Sequence, residues 1–151
     1  MMRILMALVM GAFLTGAAMA GENGIVRKEA AAGVTETVDQ LIATMEGAGL
    51  KIFARVDHGA GAQSIGADIG ASQLVIFGNP KVGTPAIQDD PVSGLFLPMK
   101  VLVYEDGTGK TMIAYEEPAK MLGRLGGVSE DAAYIQTMTG ALGKFTGSVA
   151  K

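Results

Sequence analysis

Met99–Glu116 reads MKVLVYEDGTGKTMIAYE, and its centre, Asp106-Gly107-Thr108-Gly109, separates two runs rich in branched and aromatic residues. An Asp-Gly pair between such runs signals a hairpin, because both residues tolerate the backbone that a tight connection requires. The stretch therefore predicts two antiparallel strands, Met99–Glu105 and Lys110–Glu116. Upstream, Gln73–Gly78 carries the continuous apolar run Leu74-Val75-Ile76-Phe77, which suits a central strand. Leu50–Asp57 sets Ile52, Ala54 and Val56 against Lys51, Arg55 and Asp57, the alternation of a half-buried strand, and Phe53 interrupts the polar side. Further back, Val34, Val38, Leu41, Ile42 and Met45 form the stripe of an amphipathic helix. Gly33 serves as its N-cap with Glu36 at N3, and Gly47 or Gly49 ends it. Gly24–Lys28 is a short strand candidate. Beyond the hairpin, Glu116 and Glu117 before Pro118 read as a helix start. The C-terminal third is helical, broken at Gly126-Gly127 and restarted at Ser129 with Asp131 in its first turn. The order is strand, helix, four strands, helix. A helical layer behind one face of a mostly antiparallel sheet is an α+β arrangement.

Composition narrows the chemistry. The 151 residues include no Cys, no Trp and one His. Thiolate catalysis, disulfides and zinc ribbons are excluded, as is any two-His metal or haem site within one chain. A formal charge of −3 argues against the basic surface that a phosphate backbone needs, so nucleic acid is not an expected partner. Residues 1–20 read as a cleaved secretory signal peptide. Arg3 precedes an apolar run from Ile4 to Leu14, too short to span a bilayer, and Ala18-Met19-Ala20 matches an A-x-A cleavage site. Cleavage before Gly21 leaves residues 21–151 as one domain in a periplasmic or secreted location, with no stable membrane insertion. It also removes five of the 10 Met, and the remaining Met45, Met99, Met112, Met121 and Met138 are too scattered for a motif and read as core filler.

Two segments attract functional interest. Asp57-His58 stands where a strand opens into a Gly-rich loop, expected to run to Gly70 with one helical turn near Ala62–Ile65. The pair joins a carboxylate to the side chain whose ordinary pKa lies nearest neutrality. Its alternatives are an acid/base couple and a solvated or structural His. Asn79-Pro80-Lys81-Val82-Gly83-Thr84-Pro85 has two prolines and a glycine, which favour a rigid loop over ladder or helix interior. In that reading Thr84 caps a short helix with Pro85 at N1. Thr84 then Pro85 after Gly83, where a phosphate loop needs Lys, excludes a Walker motif. Asn79 either caps the chain's exit from the sheet or, with Lys81 and Thr84, presents polar groups over a pocket. Arg55 reads as a solvated side chain or an anion clamp. Lys100, Tyr104 and Tyr115 occupy strand positions that pack, snorkel or meet a partner.

The phrases GLKIFARVDHGAGA (Gly49–Ala62), QLVIFGNPKVGTP (Gln73–Pro85) and LFLPMKVLVYEDGTGKTMIAYEEP (Leu95–Pro118) resemble the bacterial domain of unknown function 302 family, as does the opening TETVDQLIATMEGAGL. The resemblance implies a β-α-β(4)-α fold similar to half of a TATA-binding-protein saddle, paired as homodimers, with no established activity. Three expectations follow. The first is a non-catalytic homodimer that binds a small ligand or envelope protein near His58, Asn79, Lys81 and Thr84, with Arg55 and Tyr115 as further candidates, and without a cofactor. The second is a small enzyme with Asp57-His58 as general acid/base and Lys81 or Arg55 holding an anion. The third is metal or haem capture across a dimer, one His58 per subunit. Antiparallel pairing of the two strands would set His58 apart from Asn79; parallel pairing would join them.

Overall fold

The computed structural model describes residues 23–151, so the expected leader and its Gly21 junction lie outside the described residues. Five strands form one sheet in the order β1-β5-β4-β3-β2. They are β1 (Ile25–Glu29), β2 (Lys51–Asp57), β3 (Ser72–Gly78), β4 (Met99–Glu105) and β5 (Thr111–Glu116). Every neighbouring pair is antiparallel. Helices α1 (Val34–Gly47) and α6 (Ala133–Gly147) supply the covering layer, and shorter helices lie between: α2 (His58–Ser64), α3 (Pro80–Asp89), α4 (Ser93–Phe96) and α5 (Pro118–Leu122). This is the single-domain α+β fold that the strand and helix periodicities imply.

Period-two burial shows which sheet face is covered. Gln73, Val75 and Phe77 of β3 and Met99, Val101 and Val103 of β4 are buried. The apolar ones pack with Val38, Leu41 and Met45 of α1 and with Met138, Leu142 and Phe145 of α6. In α1 the buried residues Val34, Thr37, Val38, Leu41 and Met45 fall on one stripe that meets the sheet while the opposite side stays wet. Gly33 is extended at its N-cap, and Gly49, at φ +78, takes the left-handed conformation just beyond its end. The β4–β5 hairpin closes on one carboxylate. Asp106 Oδ1 accepts from the Thr108 and Lys110 backbone N–H groups and from the Thr108 hydroxyl. These bonds, led by the Thr108 hydroxyl, hold the Asp106 carboxyl below its ordinary pKa.

Four local expectations are corrected. Asn79–Pro85 is not a loop. Pro80 occupies N1 of α3, where a missing N–H costs nothing, and Asn79 Oδ1 accepts from Lys81 N at 3.0 Å. Pro85 lies inside that helix, with no N–H to offer the Lys81 carbonyl, so Thr84 is not a cap. Second, α2 starts at His58 itself, because Asp57 Oδ1 accepts from Ala60 N at 2.8 Å and caps it. Third, α6 begins at Ala133 rather than Ser129. Fourth, β2 shifts register between Ile52 and Ala54, so Phe53 forms a bulge. Ile52 and Arg55 consequently share the helix-covered side with Phe77 and Val75, while Ala54 and Val56 share the open side with Ile76 and Leu74.

Candidate functional site

At the end of the sheet where β3 stops, Gly78, Asn79 and α3 turn back beside α6. Opposite them the chain returns through α4, Leu97 and Pro98 to β4. Between these segments lies a half-open cavity of ≈ 440 Å³. Its walls include Leu50, Phe53, Val82, Leu97 and Met138, and its polar lining residues are Asn79, Thr84 and Thr137. Gly78 and Gly83 are stretches of wall without a side chain, where a Cβ would make ordinary contacts. A Cβ on Gly78 would stand 3.5 Å from both Phe53 and Pro98, and one on Gly83 would stand 3.7 Å from Leu97 Cδ1. Phe53 owes its place to the β2 bulge, which turns a 47% exposed ring toward the mouth. Lys51 Nζ stands 5.1 Å from the ring centroid.

The far end of α3 is fastened to the rest of the chain. Gly127 approaches so closely that a Cβ there would meet the Asp89 carbonyl at 2.6 Å, which explains the glycine. The Tyr134 hydroxyl of α6 donates to Asp89 Oδ2 at 2.8 Å. Desolvation, together with the hydrogen bond to Asp89 and its charge, pushes the Tyr134 pKa up to about 12. A raised folded pKa means that this contribution to stability is complete below the ordinary tyrosine value of about 10 and fades as pH climbs toward about 12. Tyr134→Phe is expected to delete the highest-pH step of phenolate absorbance in a spectrophotometric titration. Persistence of that step in the variant would assign it elsewhere.

The residues singled out from the sequence separate into different places. Asn79 and Thr84 line the cavity; Lys81 is on α3, exposed, and outside the lining. His58 is exposed at the start of α2. Because Asp57 pairs with Gln73 while Lys51 pairs with Gly78, His58 and Asn79 leave opposite ends of a strand pair about 20 Å long. Asp57 serves as a cap and also accepts from Gln73 Nε2 at 3.3 Å. Arg55 donates to Gln73 Oε1 and to Asp39 of α1, tying β2 to its neighbours. Tyr115 packs against the core, where burial raises its pKa. Lys100 Nζ donates to the Phe96 and Pro98 carbonyls at 2.9 and 3.1 Å, and desolvation lowers its pKa. The cavity's apolar walls escaped the sequence reading; Phe53, the apolar residue breaking a polar side, was the one available signal.

Among the described residues, no helix covers the opposite sheet face. Leu74, Ile76, Leu102, Met112 and Ala114 share it by register, with Arg27, Glu29, Lys100 and Glu116 around them. A shallow depression of ≈ 320 Å³ lies there, beside Leu102 and Tyr104. Among the described residues, no cluster of three His, Asp or Glu side chains suits a metal ion, and no helix is long and apolar enough to cross a membrane.

Comparison with known proteins gives three kinds of likeness. A family described as a domain of unknown function, DUF302, matches residues 26–144. A protein of Brucella suis biovar 1 (strain 1330) named fluoride-specific ion channel FluC 1 is 39% identical over 131 residues, which is 86% of this chain and 50% of that protein. Fluoride-specific ion channel FluC 2 of Brucella melitensis biotype 1 (strain ATCC 23456 / CCUG 17765 / NCTC 10094 / 16M) is also 39% identical over 131 residues, 47% of its length. The chain thus spans about half the length of the curated relatives it matches, and their name describes those longer proteins. Among solved structures, the crystal structure of an uncharacterized conserved DUF302 protein from Bacillus stearothermophilus superposes with a TM-score of 0.72. It covers 83% of this chain and 98% of its own at 19% identity, a likeness of fold.

Proposed function

This chain belongs to the DUF302 family, and from that premise we propose an exported, non-catalytic homodimeric protein that binds a small ligand in the α3 cavity. The cavity is the observation that carries the reading. At ≈ 440 Å³ it falls within the range of small-molecule sites, and it has apolar walls with a few convergent polar groups. The open sheet face supports the pairing: none of the described elements covers this apolar surface, and two copies placed face to face would cover each other. The acid/base alternative loses support because Asp57 is engaged as the cap of α2, and His58 stands at the end of the sheet away from the cavity. Nothing in the geometry favours metal or haem capture by His58.

The test is recovery of the protein from the periplasm of an expressing cell, followed by native and denaturing mass spectrometry. Denatured protein is expected to start at Gly21, and native protein to be a dimer carrying a small-molecule adduct. Retention of Met1 would overturn export. A strict monomer at about tens of micromolar would overturn pairing, and an envelope protein retained in place of the adduct would overturn the small-ligand reading.

A further inference from the structure

We infer that the α3 cavity selects an uncharged, mostly apolar small molecule with one hydrogen-bonding head, and discriminates against ionised counterparts of the same length. This rests on the cavity being a ligand site and adds the chemistry of its occupant. At roughly 30 Å³ for a water-sized group, the half-open volume of ≈ 440 Å³ holds a molecule of about 10–15 heavy atoms.

Among the described residues, the lining contains no acidic or basic side chain. An ion brought into such walls loses its hydration without gaining a partner, and the penalty far exceeds that for a neutral polar group. The N-terminus of α3 borders the cavity and would ordinarily attract an anion. Here its donors are already taken. Pro80 has no N–H, Lys81 N is bonded to Asn79 Oδ1, and Val82 N and Gly83 N both donate to the Asn79 carbonyl at 2.9 and 3.0 Å. The first turn therefore leaves no backbone donor to a carboxylate or phosphate. Lys51, at the mouth, lies over the Phe53 ring rather than in the lining.

The remaining polar capacity is neutral. With Oδ1 committed to Lys81 N, Asn79 keeps its Nδ2 group as a donor. Thr84 offers a hydroxyl, and Thr137, which donates to the Ala133 carbonyl at 2.9 Å, keeps acceptor capacity. An alcohol, ketone or amide head fits this set, because each accepts from Asn79 Nδ2 without carrying charge.

The experiment uses the mature chain, which contains no Trp to interfere with a fluorescent reporter. The neutral fluorophore 1-aminonaphthalene, small enough for the cavity, is titrated in, then displaced with decan-1-ol, decanoate or decylammonium at neutral pH. One dye site per chain is expected, with decan-1-ol displacing it at a concentration at least about tenfold lower than either ion. Ala141→Phe, which places a ring in the cavity wall, is expected to abolish dye binding. Asn79→Asp keeps the helix cap but leaves only acceptors, so affinity for decan-2-one, a ketone that can accept but not donate, is expected to fall about tenfold while the melting temperature holds. Decanoate competing as well as decan-1-ol, or Asn79→Asp leaving the affinity for decan-2-one unchanged, would overturn the choice of a neutral ligand and leave the site standing. Absence of dye binding to the unaltered chain, or undiminished binding to a folded Ala141→Phe, would overturn the site itself.

Discussion

Phe77→Ala is expected to lower the unfolding free energy by about 3–5 kcal/mol and the melting temperature by roughly 10–20 °C. Phe77 is the largest of the fully buried side chains, lies on β3, and joins the cluster formed with α1 and α6. Its loss removes both the transfer free energy of the ring and the contacts of the atoms around it. A domain of this size is stable by about 5–15 kcal/mol in total, so the variant spends a large part of that margin. Urea denaturation monitored by circular dichroism measures it. Leu95→Ala, at a residue 77% exposed on α4, is the matched comparison and should stay within about 0.5 kcal/mol. A Phe77 loss under about 1 kcal/mol, in the range of ordinary substitutions, would mean that the core tolerates a void there and is less close-packed than the burial pattern implies.

Phe77 was legible in the sequence because a run of four apolar residues bounded by polar and glycine positions has few other uses. So were α1, from its stripe of Val34, Val38, Leu41 and Met45, and the hairpin, from Asp106-Gly107. Each is set by contacts between residues close in the chain, or by one face meeting one core. The cavity depends on something else. Val82, Leu97, Met138 and the bulged Phe53 come from four separate segments, and no local period brings them together. The site's entrance helix was hidden by local rules that conflict with one another. Pro85 argues against a helix, whereas Asn79-Pro80 supplies a cap and a first position; the second pair won, with α6 and the Gly127 loop holding α3 in place. The β2 bulge was similarly out of reach. A single inserted residue moves Ala54 and Val56 to the other sheet face, and register is a property of the pairing with β3 rather than of β2 alone.

If the proposed pairing acts through the open sheet face, Leu102→Glu should convert a dimer into a monomer. Both sheet edges are poorly suited to adding strands. β2 is bulged and carries Lys51, Arg55 and Asp57, while β1 carries Arg27, Lys28 and Glu29, the last paired with Lys110 and Lys151. The open face is the alternative, with Leu102 of β4 at the middle strand of five and Leu74 and Ala114 opposite it on either side. Charges of both signs at its margins, Arg27 and Lys100 against Glu29 and Glu116, allow a two-fold partner to offer opposite charges to each. A carboxylate at Leu102 would be buried without a counter-charge in the centre of such an interface, costing several kcal/mol and weakening association by about 100-fold or more. In the separated chain the same side chain faces water, so the fold should survive the change. Sedimentation equilibrium across a dilution series measures both: a dimer for the unaltered chain, a folded monomer for the variant. Equal dimerisation of the two proteins would exclude this face and return attention to the edges.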